Sequence, residues 1–172
     1  MCIKEETIFT NNKVIIDADC RKDDLIVLLK GSGENSIQLN GNVILKTSPG
    51  HRLIRFTKNH FCLLYNSQIS FYSLTGEFVS KHEIGLYIHE LFPFQDGVLC
   101  VCGDEGVYGK GKGNTILTHA SPFHNPKSFN ELVIQYDLSY DVLFARNKPY
   151  ACLNPVSNEI VVINEKLEVG KQ

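Results

Sequence analysis

The 172-residue chain has no tryptophan and a single methionine. Its apolar runs are short: residues 25–29 and 98–102 fall far below the roughly 20 residues that a bilayer-spanning helix needs, so no membrane association is expected. Positive charge is not in excess. Seventeen Lys and Arg against nineteen Asp and Glu leave a formal net charge of −2. No net positive field then gathers phosphates, and nucleic acid is not expected as a direct partner. There is no Gly-x-Ser-x-Gly elbow, no His-Glu-x-x-His pair, no dinucleotide fingerprint and no repeated Cys motif. Accordingly no cofactor, no metal and no catalytic residue are expected. Met1-Cys2-Ile3-Lys4-Glu5-Glu6 lacks a basic region followed by an apolar stretch, so no export leader is read there and a cytoplasmic location is expected.

What is present is the composition of an ordinary globular protein, 43% apolar and 21% charged, over a length that suits one domain, 1–172. Of the six cysteines, Cys62, Cys100 and Cys152 lie inside short apolar runs, which suits buried reduced thiols rather than a disulfide framework. Cys100-Val101-Cys102 would put two thiols on one face of a strand, but no second pair at ligand spacing accompanies them, so core packing is the expectation.

The apolar runs are β-branched or aromatic and are cut every few residues by Gly, Asn, Asp or Ser, the pattern of strands joined by hairpins. Only residues 86–94 and the stretch around 125–132 could hold a turn or two of helix, and Pro93 and Pro126 limit both. A unit of three or four strands recurs. Its clearest copy is Arg52-Leu53-Ile54-Arg55-Phe56, a turn, His60-Phe61-Cys62-Leu63-Leu64-Tyr65, a turn at Asn66-Ser67, Gln68-Ile69-Ser70-Phe71-Tyr72, and Glu77-Phe78-Val79-Ser80. An earlier copy contains Asn40-Gly41 between apolar residues, the strongest short hairpin signal. A third copy begins at Leu91, is interrupted, and is expected to resume at Leu132-Val133-Ile134-Gln135-Tyr136; a fourth begins at Tyr150. Central strands thus start at Leu25, Phe61, Val98 and Tyr150, and their continuous apolar character predicts cover on both faces.

Phe71-Tyr72-Ser73-Leu74-Thr75-Gly76 and Ile134-Gln135-Tyr136-Asp137-Leu138-Ser139 resemble the third strand and turn of β-propeller blades, as in WD-type repeats. The chain carries neither the Trp-Asp signature nor the Gly-Gly pairs of Kelch repeats. The expected fold is all-β: about four quasi-repeated antiparallel β-meander blades in a small propeller-like array, with a β-sandwich or open array as alternatives.

A long loop insertion is expected at about 103–130, and loops of that length are usually functional or disordered. Within it, Gly109-Lys110-Gly111-Lys112-Gly113-Asn114 lacks the spacing and following helix of a phosphate loop and reads as a hairpin tip. His119 and His124 have no Cys or acidic ligand near them in sequence. The cluster Asp17, Asp19, Asp23, Asp24 lacks the Gly and distal Glu of a calcium loop and reads as a solvated turn.

Between His82 and Gly109 stand five acids, Glu83, Glu90, Asp96, Asp104 and Glu105, with no Lys or Arg, interleaved with Tyr87, Phe92, Phe94 and Tyr108. Such a segment would complement a basic cleft on a protein partner, with Glu83, Tyr87, Glu90, Asp104, Glu105 and Tyr108 as candidate contacts. In general character the chain resembles the immunity proteins of bacterial toxin systems, including those of contact-dependent growth inhibition. That resemblance implies a non-enzymatic, monomeric protein that binds a cognate toxin, often a nuclease, and blocks its active site. The alternatives are a small propeller-like hydrolase or lyase with its site in a central channel, and a subunit of a larger propeller.

Overall fold

The computed structural model describes residues 13–85, 88–102 and 117–128, and the backbone of three further strands at 150–154, 159–163 and 169–171. Among these residues every regular element is a strand. The first antiparallel sheet is β1 (Ile15–Arg21), β2 (Asp24–Leu29), β3 (Asn35–Leu39) and β4 (Asn42–Thr47); the second is β5 (Leu53–Phe56), β6 (His60–Tyr65), β7 (Gln68–Ser73) and β8 (Phe78–Glu83). The third is β9 (Ile88–Phe94), β10 (Gly97–Cys102), β11 (Leu117–Ala120) and β12 (Lys127–Ser128), and a fourth holds β13 (Tyr150–Asn154), β14 (Glu159–Ile163) and β15 (Val169–Lys171). Each sheet is a meander in chain order, as the repeated unit predicts.

The turns explain the registers. Asn40 and Gly41 both take positive φ, 49° and 83°, the backbone of a type I′ hairpin that matches strand twist. Asn40 also ties its turn to the neighbouring β1–β2 turn at the same end of the sheet: its Oδ1 accepts from Leu25 N–H at 2.8 Å and its Nδ2 donates to Asp24 at 2.9 Å. Gly76, at φ 88°, lies so close to blade one that a Cβ there would meet Ile44 O at 2.1 Å. Only glycine fits where the β7–β8 turn touches β4.

Sheet two is covered on both faces. Toward sheet one, Ile54, Phe56, Phe61 and Leu63 pack with Ile26, Leu28 and Ile37; toward sheet three, Cys62, Leu64, Ile69 and Phe71 pack with Leu91, Val98, Cys100 and Ala120. Alternate residues of β6 therefore enter two different cores, and the whole strand must be apolar. β2, with Ile26, Val27, Leu28 and Leu29, and β10, with Val98 to Val101, are likewise buried along both faces.

Two expectations are corrected and one alternative is decided. The third sheet does not wait until residue 132 for its outer half: β11 and β12 fall inside the expected 103–130 insertion, with Val98 opposite Ala120 and Thr118 opposite Ser128. Of the two readings of residues 86–94, a turn or two of helix or a strand that begins at Leu91, the strand is found: β9 pairs with β10 and draws Leu91 and Phe94 into the core. In the fourth sheet the middle described strand is β14, rather than the strand that starts at Tyr150. Residues 132–149 lie outside the described residues.

Candidate functional site

The inner strands β1, β5 and β9 carry the densest polar geometry. On β1, residues 17, 19 and 21 share one face, and all three side chains reach sheet two. Asp17 Oδ2 accepts from Ile54 N–H at 2.8 Å, Asp19 Oδ2 accepts from Phe56 N–H at 2.9 Å, and the Arg21 guanidinium donates to Thr57 O and Lys58 O at 2.7 and 2.8 Å while lying 4.6 Å from the Phe56 ring centre. Within the β5–β6 hairpin Thr57 N–H donates to His60 O. By the alternation of an antiparallel ladder, Ile54 and Phe56 N–H point to the open edge of β5. Two carboxylates of the preceding sheet thus satisfy an edge strand that would otherwise present bare donors. The solvated-turn reading of the acidic cluster is therefore corrected: Asp17 and Asp19 are strand residues, and Asp19 is buried.

Arg55 of β5 joins all three inner strands. Its guanidinium meets Asp17 of β1 at 2.5 Å and Glu90 of β9 at 2.6 Å, and donates to Ile54 O at 2.6 Å. Burial opposes its charge, and the two carboxylates outweigh that effect, so its pKa is held above the ordinary guanidinium value. Arg52 adds a donor to Ile88 O of β9.

The predicted acidic contacts separate under this geometry. Glu83 ends the outer strand β8, is exposed, and accepts from the Ser67 hydroxyl. Glu90 sits on the inner strand of the next sheet, with its Oε1 held by Arg55 and by Leu91 N–H at 2.9 Å. Phe94, interleaved with the acids but not among the candidate contacts, is buried against His119, with ring centres 5.2 Å apart. Tyr87, Asp104, Glu105 and Tyr108 lie outside the described residues. The ends of the 103–116 connection are placed: Cys102 pairs with Ile88, on the rim where Ile84 N–H donates to Ser67 O.

Ser121, Asp96 and His119 come together without forming a nucleophilic triad. The Ser121 hydroxyl donates to Asp96 at 2.7 Å, and His119 Nε2 stands 3.8 Å from the other carboxylate oxygen. The carboxylate therefore occupies the middle place that a general base would need, and Ser121 is buried. Burial lowers the His119 pKa, with Asp96 opposing that shift. Cys62 and Cys100 are buried free thiols, and burial pushes the Cys62 pKa up to about 12, so it is unreactive in the folded chain. Cys20 is free and exposed. The described residues contain no group of three His, Cys, Asp or Glu placed to hold a metal ion, and no helix long and apolar enough to cross a membrane.

One recess was not legible beforehand. Where the β4–β5 connection crosses the outer half of sheet two, Thr47, Ser48, His51, Tyr65, Gln68, Ser70, Tyr72, Phe78 and Lys81 line a cavity of about 350 Å³. Gly50, at φ 100°, lets this connection lie on Tyr65, since a Cβ there would stand 2.5 Å from the ring.

No protein-family model matches the chain, and neither does any curated protein. Solved structures do. Hsv2 of Kluyveromyces lactis with loop 6CD replaced by a Gly-Ser linker matches at 14% identity over 92% of this chain and 51% of that one, with a TM-score of 0.57. BBS1N in complex with ARL6DN matches at 15% over 98% and 59%, TM-score 0.56, and the N-terminal domain of Nup159 at 10% over 93% and 43%, TM-score 0.55. All three are β-propeller-type proteins, and the four-stranded meander sheets share their fold. The chain spans between 43% and 59% of the length of these structures.

Proposed function

We propose that the chain is a non-enzymatic protein-binding domain. Its contact surface is the rim carrying Glu83 and the exits of the 84–87 and 103–116 connections, with Tyr87, Asp104, Glu105 and Tyr108 as further contacts. The observation that carries this reading is the Asp17–Arg55–Glu90 bridge. Charges that a catalytic centre between the inner strands would draw on are committed to joining one sheet to the next, which leaves function to the rim. Glu90, held by Arg55 and Leu91 N–H on the inner strand β9, is committed to that bridge and is set apart from the proposed surface. Among the proteins of similar fold, BBS1N is solved in complex with ARL6DN, so in that protein a propeller-type fold takes part in a complex.

The sharper form of the proposal is an immunity protein that occupies the active site of a cognate bacterial toxin and excludes its substrate. It rests on the acidic character of the 82–109 segment. The test is capture of the partner from the native host, followed by calorimetric titration of the purified pair. Glu83→Lys, Asp104→Lys and Glu105→Lys together are expected to weaken binding about tenfold or more and to flatten its salt dependence. Unchanged affinity at low salt would remove this surface from the account. A partner that is toxic when expressed alone establishes the sharper form. Substrate turnover by the pure chain, with no partner recovered, would favour a hydrolase or lyase.

A further inference from the structure

From the recess between the β4–β5 connection and the outer half of sheet two, we infer that the chain has a binding site for a small aromatic monocarboxylate. The site shares no residue with the proposed partner surface, so either can fail alone.

The argument begins with the alternation of β7. Gln68, Ser70 and Tyr72 face sheet one, while Ile69 and Phe71 face sheet three. Across the ladder Ser70 stands opposite Lys81, and Tyr72 opposite Phe78. One face of the outer half of sheet two therefore assembles an ammonium, an amide, a hydroxyl and two aromatic rings. Thr47 at the end of β4, with Ser48 and His51 of the β4–β5 connection, closes the other side. At about 350 Å³ the recess falls in the size range of small-molecule sites.

Its chemistry selects the ligand. None of the nine lining residues is acidic, and Lys81 is the single cation among them. One ammonium with hydroxyl and amide donors suits one negative charge; nothing in the lining offers the fork of donors that a doubly charged phosphate favours. Tyr65, Tyr72 and Phe78 supply the walls for a flat apolar body, and Phe78 is 61% exposed, with its ring edge-on to Tyr72 at 5.8 Å. His51 is buried, and its Nδ1 lies 3.0 Å from Ser48 O. A carbonyl can only accept, so Nδ1 carries the proton and Nε2 is left as an acceptor. Burial lowers the His51 pKa, the hydrogen bond to Ser48 O opposes that shift and the Lys81 charge adds to it.

Benzoate is the probe, with benzamide and acetate as controls, titrated into the isotope-labelled full chain. Benzoate is expected to give saturable amide shifts at His51, Gln68, Ser70 and Lys81, with benzamide binding about tenfold more weakly for want of the charge. Lys81→Gln is expected to weaken benzoate about tenfold, and Phe78→Ala several-fold. Both positions are exposed, so the fold is retained, and unchanged thermal unfolding verifies it. The proposal is overturned if benzoate gives no saturable shift at these residues, if Lys81→Gln binds it as the parent does, or if acetate binds as tightly as benzoate.

Discussion

The two faces of sheet two differ in how far out from the inner strand they stay apolar. Toward sheet three the apolar contact runs from Leu53 through Cys62 and Leu64 to Ile69, Phe71 and Val79 on the outer strands. Toward sheet one it is dense at Ile54, Phe56, Phe61 and Leu63 and then turns polar at Gln68, Ser70 and Lys81. The first face keeps buried apolar side chains out to β7, each worth roughly 1.5–3 kcal/mol when large and fully buried. The second gives up part of that burial and encloses a polar recess instead. A propeller-type sheet can thus be mechanical on one side and chemical on the other while using the same strands.

The largest test of this contrast is one substitution on each face of the outer half of sheet two. Phe71→Ala, at a fully buried position, is expected to cost about 3–5 kcal/mol in denaturant unfolding. Lys81→Gln, on the recess face, is expected to change stability by less than about 0.5 kcal/mol. Comparable losses at the two sites would erase the distinction between the faces.

Next in size is the bridge between inner strands. Arg55→Ala leaves the carboxylates of Asp17 and Glu90 facing each other without a cation, and about 2–3 kcal/mol of stability should go with it. Glu90 is partly exposed, which places the expectation below that for a fully buried pair. Adding Asp17→Asn to Arg55→Ala should recover part of the loss; strictly additive losses would mean that the bridge does not couple the two sheets.

A smaller effect follows from His51. Its pKa in the folded chain lies below the ordinary 6.5, chiefly through burial. Below about pH 6.5 the unfolded chain takes up a proton that the folded chain refuses, so stability falls as pH drops through that window and is fully present above it. His51→Gln should flatten the decline below about pH 6.5 relative to the parent, measured as denaturation midpoints. An unaltered slope would assign the decline to other groups, His119 first among them.

The smallest perturbation leaves the fold untouched. With iodoacetamide under native conditions, peptide mapping should find Cys20 alkylated, with Cys62 and Cys100 protected until the chain unfolds. Rapid native modification of Cys62 would contradict the close packing between sheets two and three.

Three of the sheets could be read in the sequence because a strand covered on both faces must be apolar throughout. Residues 25–29, 61–64 and 98–101 show this without reference to any partner strand. β11 and β12 could not be read, since four and two residues separated by a stretch with Pro122 and Pro126 are too short for a period to register. Asp17 and Asp19 were misjudged for a different reason. Their value lies in backbone amides 37 residues away, and local composition carries no sign of such a bond. The recess did leave a signal: Gln68, Ser70 and Tyr72 alternate with Ile69 and Phe71, a polar face on a strand whose other face is core. What could not be read was the β4–β5 connection, which turns that polar face into a cavity.

The central claim is that side chains of one inner strand satisfy the open edge of the next, and amide hydrogen exchange at Ile54 and Phe56 tests it most directly. Both amides point away from β6, so without Asp17 and Asp19 they would exchange like edge-strand donors in water. The account predicts strong protection of both in the parent chain, lost selectively at Phe56 in Asp19→Ala while the amides that bond β6 stay protected. Rapid exchange of Ile54 and Phe56 in the parent chain would contradict it.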